Sequence, residues 1–258
     1  MDLGVSTACY YPLETEQALE NLGKAGVKTA EIFFNAASEL KPAFVDILNS
    51  IKTEYGMKIS SLHPTLSLAE PFIIFSNYER RFYEALDTYE RYSEIAAELG
   101  AKYIIMHGGK QNSSLSDEEY CERYMMLKNR TLKNNVTVLQ ENVLNFRAGD
   151  IQFMKSMQNI LGEDAEFCLD IKQSLRCGYS PIELMAEFKN NIRHYHISDH
   201  SPSSDCLLPQ NGKFDFENFF KLLKTNNFNG SAIIEVYNNA YSDYKEIETS
   251  YKNLIKKL

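Results

Sequence analysis

The sequence has little histidine, no CxxC pair and no long apolar run. Its five cysteines are odd in number and widely spaced, which is typical of reduced thiols in a cytosolic protein. No stretch approaches the roughly 18 apolar residues that a membrane span requires. The amino terminus also lacks a basic segment followed by an apolar run, which a signal peptide would have. We therefore expect a cytoplasmic protein without a membrane partner.

Positive charge is also scarce, because 27 Lys and Arg residues stand against 35 Asp and Glu residues and leave a net charge of −8. A protein that binds a phosphate backbone normally has a basic face, so no nucleic-acid partner is expected. A small-molecule substrate is compatible with this charge. Apolar residues make up 44% of the chain, as in ordinary globular proteins, and the composition leaves homo-oligomerisation open.

Short apolar segments alternate with longer segments of helical periodicity along the whole chain. The predicted strands are residues 3–8, 29–34, 58–63, 102–107, 136–141, 166–171, 194–199 and 232–237. Eight strands, each followed by a helix, predict an α/β fold in which a parallel sheet closes into a (β/α)8 TIM barrel. No linker or shift in composition divides the chain, so we expect one domain over residues 1–258.

A doubly wound open sheet is the alternative architecture. That fold usually carries a glycine-rich phosphate loop after its first strand. The corresponding segment here, "STACYYPLE", contains no glycine, so the closed barrel is favoured.

Acidic residues and histidines lie near the carboxyl ends of seven of the eight predicted strands. They are Glu31, His63, His107, Glu141, Asp170, His196 and Glu235. Catalytic groups of a barrel enzyme lie at these strand ends, and charged residues are seldom buried unless they are paired or bind a metal. One such residue alone would be read as a helix cap or a salt bridge, but seven at one end of a barrel indicate a functional site.

Three of the five histidines fall in the segment "HYHISDH", residues 194–200. Side chains alternate along a strand, so His194 and His196 share one face. His196 is closer to the carboxyl end and is the better candidate for a metal ligand. His194 is read as a packed barrel histidine, and His200 as a solvated loop residue.

Four of these residues, on four successive strands, form a mixed set of oxygen and nitrogen ligands. They are Glu141, Asp170, His196 and Glu235. Without a thiolate, this set suits one divalent ion of the Mn²⁺, Mg²⁺ or Co²⁺ kind, with Mn²⁺ first. Zn²⁺ stays open as well, because histidine and carboxylate also bind it in catalytic sites.

The sequence resembles the xylose isomerase-like superfamily of sugar isomerases and epimerases. The resemblance rests on "LQENV" around Glu141, "CLDIKQ" around Asp170, the "HYHISDH" segment and "IIEVY" around Glu235. Further similar segments are "AEIFF", "SLHP", "MHGG" and "LPQNGKFDFENFFKLL". These motifs span nearly the whole chain in the order in which the family has them.

This resemblance implies that the four ligands named above hold one divalent metal ion. It also implies that Glu141 and Glu235 act as acid and base on opposite sides of a sugar, or sugar phosphate, substrate. One carboxylate would remove a proton beside the carbonyl, the other would return one, and the metal would stabilise the enediolate. The expected substrate-binding residues are Glu31, His63, His107 and Gln173.

Gln173 departs from the family pattern, which commonly has Asp-x-x-His at this place. An amide can donate a hydrogen bond but cannot carry a proton. The alternatives that stay open are an endonuclease IV-like DNA-repair nuclease, a metal-dependent polyol dehydratase and a non-catalytic sugar-binding relative. The nuclease would need an Asp-x-His after the seventh strand, and "SPSSDCLL" supplies only the Asp.

Overall fold

The computed structural model describes residues 1–258 and contains a closed barrel of eight parallel strands. In chain order the strands are β1 (Asp2–Ser6), β2 (Thr29–Phe33), β3 (Lys58–His63), β4 (Tyr103–Met106), β5 (Thr137–Glu141), β6 (Phe167–Asp170), β7 (Ile192–Ile197), β8 (Asp199–Ser201), β9 (Ser204–Leu207) and β10 (Ser231–Ile234). All except β8 and β9 belong to the barrel, in the order β1-β10-β7-β6-β5-β4-β3-β2. The predicted TIM barrel is confirmed.

Helices follow the barrel strands and pack around them. They are α1 (Thr15–Lys24), α2 (Pro42–Glu54), α3 (Glu70–Ile73), α4 (Glu79–Leu99), α5 (Asp117–Leu132), α6 (Ile151–Leu161), α7 (Ile171–Arg176), α8 (Pro181–Glu187), α9 (Phe216–Thr225) and α10 (Tyr244–Ile255). None of these helices combines the length and apolar character needed to cross a membrane.

The alternation of side chains along β7 shows how the barrel separates core from site. Tyr195 faces outward, and its ring packs 5.2 Å from that of Phe219 on α9. His194 and His196 face the barrel interior, where both are fully buried. The strand period of two therefore places the apolar residue against the helical layer and both histidines inside the barrel.

Every predicted strand overlaps an observed barrel strand, with bounds that differ by up to three residues, and the difference at the seventh strand has an identifiable cause. The prediction was residues 194–199, whereas β7 ends at Ile197 and Asp199 begins the β8–β9 hairpin. The buried Asp199 carboxylate accepts hydrogen bonds of 2.9 Å from the backbone N–H groups of Gln210, Gly212 and Phe214. Asp199 therefore organises the loop before α9 instead of extending the barrel strand.

The loop after β4 depends on a glycine in the left-handed region. Gly108 has φ +86°, and a Cβ at this position would lie 2.0 Å from the Tyr120 hydroxyl oxygen and 2.7 Å from the Gln140 Oε1. Tyr120 donates a 2.6 Å hydrogen bond to that same Gln140 oxygen. Gly100, which ends α4 with φ +80°, has open space around it.

We expect Gly108→Ala to destabilise the fold more than Gly100→Ala does. Gly100→Ala meets only the backbone penalty of the left-handed region, about 1–2 kcal/mol. Gly108→Ala adds overpacking against Tyr120 and should lose roughly 3 kcal/mol of unfolding free energy. Urea denaturation of both variants measures the difference. Equal losses would contradict the steric account.

Candidate active site

A cavity of about 450 Å³ opens at the carboxyl ends of the barrel strands. Five of the residues singled out by the sequence line it: His63, His107, Glu141, Gln173 and Glu235. Aromatic side chains form much of the remaining wall, including Tyr11, Phe33, Phe34 and Tyr237. The cavity wall therefore combines ionisable and amide groups with aromatic surfaces.

The four predicted metal ligands converge in space. Each of Glu141, Asp170, His196 and Glu235 offers one ligand atom, and these atoms all lie within 4.8 Å of one another. The His196 Nδ1 lies 3.1 Å from the Glu141 Oε1 and 3.4 Å from the Glu235 Oε2. Two carboxylates, one at the end of β5 and one directly after β10, thus meet at one imidazole nitrogen.

This set of donors fits a divalent cation. The Glu141 Oε2 and the Asp170 Oδ2 are buried and accept no hydrogen bond, although buried carboxylate oxygens normally do. Burial raises the pKa of Asp170 to about 6, and the neighbouring Glu141 and Glu235 charges act in the same direction. A cation between these oxygens would satisfy them and favour their ionised form.

Two histidines stand beside Glu141 at the edge of the same cluster. The Glu141 Oε2 lies 3.2 Å from the His107 Nε2 and 3.7 Å from the His63 Nε2. Burial opposes ionisation of Glu141, but its contacts with His107 and His196 outweigh burial and hold its pKa well below the ordinary value. Glu141 therefore enters the cavity as a carboxylate.

Glu31, predicted to contact the substrate, instead lies beneath the cavity and does not line it. It is the third residue of β2, its side chain is fully buried, and its Oε2 accepts a 2.8 Å hydrogen bond from Ser61. The same oxygen lies 3.0 Å from the His196 Nε2 and 3.3 Å from the His194 Nε2. Glu31 lies at this depth because it occupies the middle of its strand and not its end.

The other residues of the histidine-rich segment lie outside the cavity wall. His194 is fully buried below His196, in contact with Glu31. His200 lies in the β8–β9 hairpin and does not line the cavity. Asp205 of the same hairpin pairs with Arg176 at 2.5 Å, so this Asp is engaged at the surface.

Asn142, a residue that the sequence did not single out, connects the end of β5 to the end of β6. Its side-chain oxygen accepts a 2.7 Å hydrogen bond from the Asp170 backbone N–H, and its amide donates to the Asp170 carbonyl at 3.2 Å. These bonds set Asp170 against the adjacent Glu141. The pattern "QEN" places an asparagine directly after Glu141, which hints at this role. Asparagine after a strand is also common in turns, however, so the pattern is ambiguous.

Gln173, predicted to bind the substrate, lies in the cavity wall. Its backbone N–H donates to the Asp170 Oδ1 at 2.9 Å, which caps α7, and its side-chain oxygen accepts from the Leu144 N–H at 3.2 Å. The side-chain oxygen is thus engaged with the protein. The amide NH₂ group is the part of Gln173 available to donate to a ligand.

Lys172 is a second residue that the sequence did not single out. It lines the cavity with a side chain that is only 3% exposed. Its Nζ lies 3.4 Å from both the Asp170 Oδ2 and the Glu235 Oε2. The sequence shows a lysine in "DIKQ", but a lysine after a strand is usually solvated. The sequence alone therefore does not indicate that Lys172 lies inside the cavity.

The chain belongs to the family of xylose isomerase-like TIM barrels, whose model matches residues 19–257. An uncharacterised protein of Mycobacterium leprae, ML2432, is 23% identical over 96% of this chain and 92% of its own length. An inosose dehydratase of Clostridium botulinum is 21% identical over 85% of this chain and 81% of its own length.

Solved structures resemble the fold over nearly the whole chain. A D-tagatose 3-epimerase-like protein superposes with a TM-score of 0.79 at 20% identity, covering 100% of this chain and 97% of that one. The 3-keto-D-glucoside 4-epimerase YcjR of E. coli gives a TM-score of 0.79 at 16% identity, covering 99% of both chains. At this identity the likeness establishes the shared barrel.

A buried carboxylate next to the site holds the loop after β4. Glu70 accepts 2.6 Å hydrogen bonds from the Tyr89 hydroxyl and from the Gly108 N–H. Burial raises the pKa of Glu70 from 4.5 to about 7, while His107 and these hydrogen bonds act in the opposite direction. The folded protein therefore retains this proton to a higher pH than the unfolded chain does.

We expect Glu70 to lower the free energy of unfolding as the pH rises from 4.5 to about 7. Glu70→Gln should remove this dependence, because the amide has no proton to lose. Relative to the wild type, the variant should gain stability progressively over this range, up to about 3 kcal/mol. Urea denaturation across the range measures it, with the exposed Glu122→Gln as a control. Parallel pH profiles for Glu70→Gln and the wild type would refute the assignment.

Proposed function

We propose that the chain is a metal-dependent sugar isomerase or epimerase in which Glu141 and Glu235 transfer a proton beside a carbonyl group. The convergence of these two carboxylates on the His196 Nδ1 is the observation that carries the proposal. Glu141 comes from the end of β5, and Glu235 follows β10. Both line the cavity, so a bound sugar can contact both carboxylates.

The chemistry requires that a weakly acidic C–H bond be broken and formed again. A divalent ion held by Glu141, Asp170, His196 and Glu235 would polarise the carbonyl oxygen as a Lewis acid. One of the two glutamates takes the proton from the carbon beside the carbonyl, and the other delivers a proton to the opposite face. Return to the neighbouring carbon would give aldose–ketose isomerisation.

The remaining polar groups of the cavity would hold the sugar hydroxyl groups. The His107 Nδ1 is buried without a hydrogen-bond partner, whereas the His63 Nδ1 is held by Ser67 at 2.9 Å. The Gln173 amide adds a donor without charge. Together these groups suit hydroxyl oxygens of a polyol, and the aromatic side chains of the cavity wall suit the apolar face of a sugar ring.

An unphosphorylated sugar fits the charges of the cavity better than a sugar phosphate does. Lys172 is the sole Lys or Arg among the residues that line the cavity. It is already paired with Asp170 and Glu235. A phosphate group would need cationic or backbone donors that are free to bind it.

Loss of one ligand should weaken metal binding. Glu141→Gln and Asp170→Asn keep the size of each side chain but remove its charge, so we expect the Mn²⁺ affinity to fall by about 100-fold or more. Isothermal titration calorimetry measures this. Glu70→Gln, which removes a buried carboxylate outside the quartet, should keep the wild-type affinity. Wild-type affinity in both ligand variants would reject the metal centre.

Proton transfer through Glu141 and Glu235 predicts exchange with solvent. When the reaction runs in deuterated water with a panel of ketopentoses and ketohexoses, deuterium should enter the product on the carbon beside the carbonyl. Mass spectrometry reads its incorporation directly. A product that stays free of deuterium under all conditions would favour hydride transfer between carbons over the proposed proton transfer.

A dehydratase acting on a cyclic polyol is the second candidate, and the similarity to the inosose dehydratase favours it. Its first step would be the same proton removal, followed by loss of a hydroxyl group. The mass of the product separates the two, since only dehydration removes water. The nuclease alternative has less support, because Asp205 is paired with Arg176 and the net charge is −8.

A further inference from the structure

Lys172 brings a positive charge into a site built from carboxylates. It is the second residue of α7, directly beyond the strand that ends at Asp170. Its Nζ lies 3.4 Å from the Asp170 Oδ2 and 3.4 Å from the Glu235 Oε2, and 4.5 Å from the centroid of the Tyr237 ring. The ammonium group is thus enclosed by two carboxylates and an aromatic face.

The Lys172 ammonium group lies beside the cluster of carboxylates, where a positive charge is most needed. Glu141, Asp170 and Glu235 place their oxygens within 4.8 Å of one another, and unpaired buried carboxylates are strongly disfavoured. The Asp170 Oδ2 accepts no hydrogen bond of normal geometry, so Lys172 serves it mainly through charge. A divalent ion in the quartet would draw on the same Asp170 and Glu235 carboxylates.

We propose that Lys172 is a built-in counter-cation of the metal centre, which stabilises the metal-free site and lowers its affinity for a divalent ion. This inference rests on the proposed function, because it assumes that the quartet binds metal. The ammonium group competes with the ion in two ways. It occupies two of the carboxylates that the ion needs, and it repels the ion as a like charge. The centre would consequently exchange its metal more readily than four ligands without Lys172 would.

Removal of the charge should therefore strengthen metal binding. Lys172→Met keeps the length of the side chain and removes the ammonium group. We expect its Mn²⁺ dissociation constant to fall by about tenfold or more, the direction that Coulomb repulsion between cations at short range requires. Lys172→Gln removes the same charge but retains a polar end, and it should shift the affinity in the same direction. Isothermal titration calorimetry measures both variants.

The metal-free protein should respond in the opposite direction. Lys172→Met leaves Asp170 and Glu235 facing each other without a cation, so its Tm should drop in the presence of a chelator. Excess Mn²⁺ should then raise the Tm of this variant by more than it raises that of the wild type.

Lys128 offers a matched control at the other end of the barrel. Its side chain is 5% exposed, and its Nζ lies 3.0 Å from both the Asp164 Oδ1 and the Glu166 Oε2. Lys128→Met removes a buried, doubly paired ammonium group outside the quartet. It should lower the Tm and leave the Mn²⁺ affinity unchanged.

Equal or weaker Mn²⁺ binding by both Lys172 variants would overturn the inference. If Glu141→Gln still loses affinity in the same experiment, the metal centre stands and only the role of Lys172 fails. If the wild type and all variants bind no Mn²⁺, both the metal centre and the role of Lys172 fall. Binding that appears only when Lys172 is replaced would support the inference most directly.

Discussion

Mutual repulsion among buried carboxylates is the constraint around which this site is built. Glu141, Asp170 and Glu235 come from separate strand ends and converge, so three negative charges lie close together and require compensation. His196 lies between two of them, and Lys172 lies between two. Burial and the neighbouring Glu141 and Glu235 charges still raise the pKa of Asp170 to about 6, although the Lys172 charge acts in the opposite direction. A divalent ion held by the quartet, as proposed, would supply further compensating charge.

The support for His196 comes from the layer below it. The Glu31 carboxylate accepts a hydrogen bond from Ser61. It also lies beside the His194 and His196 imidazole rings. With its Nε2 directed to Glu31, the His196 ring presents its Nδ1 to the quartet. A carboxylate behind a metal-ligating histidine orients the ring and makes it a stronger ligand. Glu31 thus contacts His196 from the layer below and is not among the residues that line the cavity.

The fold could be predicted because each local signal agrees with the same architecture. Apolar strands alternate with amphipathic helices, and α4 ends at Gly100 in the left-handed conformation that glycine favours. The prediction was less accurate where a polar residue serves a loop. Asp199 follows β7 in sequence and continues the alternating pattern, but three backbone N–H groups of a later loop bind it. Such long-range partners leave no trace in the local periodicity.

The sequence predicts which face of each strand carries the site residues, but not how deep in the barrel each residue lies. Alternation tells which side of a strand a residue occupies, whereas the level along the barrel depends on the register between strands. Glu31 pairs with Ser61 and lies one layer below Phe33, which pairs with His63, and the register between β2 and β3 shifts just before Glu31. Lys172 shows the opposite case, a residue that lies inside the cavity although the sequence does not predict it there. Its place inside the cavity depends on the turn from β6 into the short helix α7, and on the carboxylate of Glu235, which lies 63 positions further along the chain. A charge that is buried because of distant partners can be recognised only when those partners are placed in space.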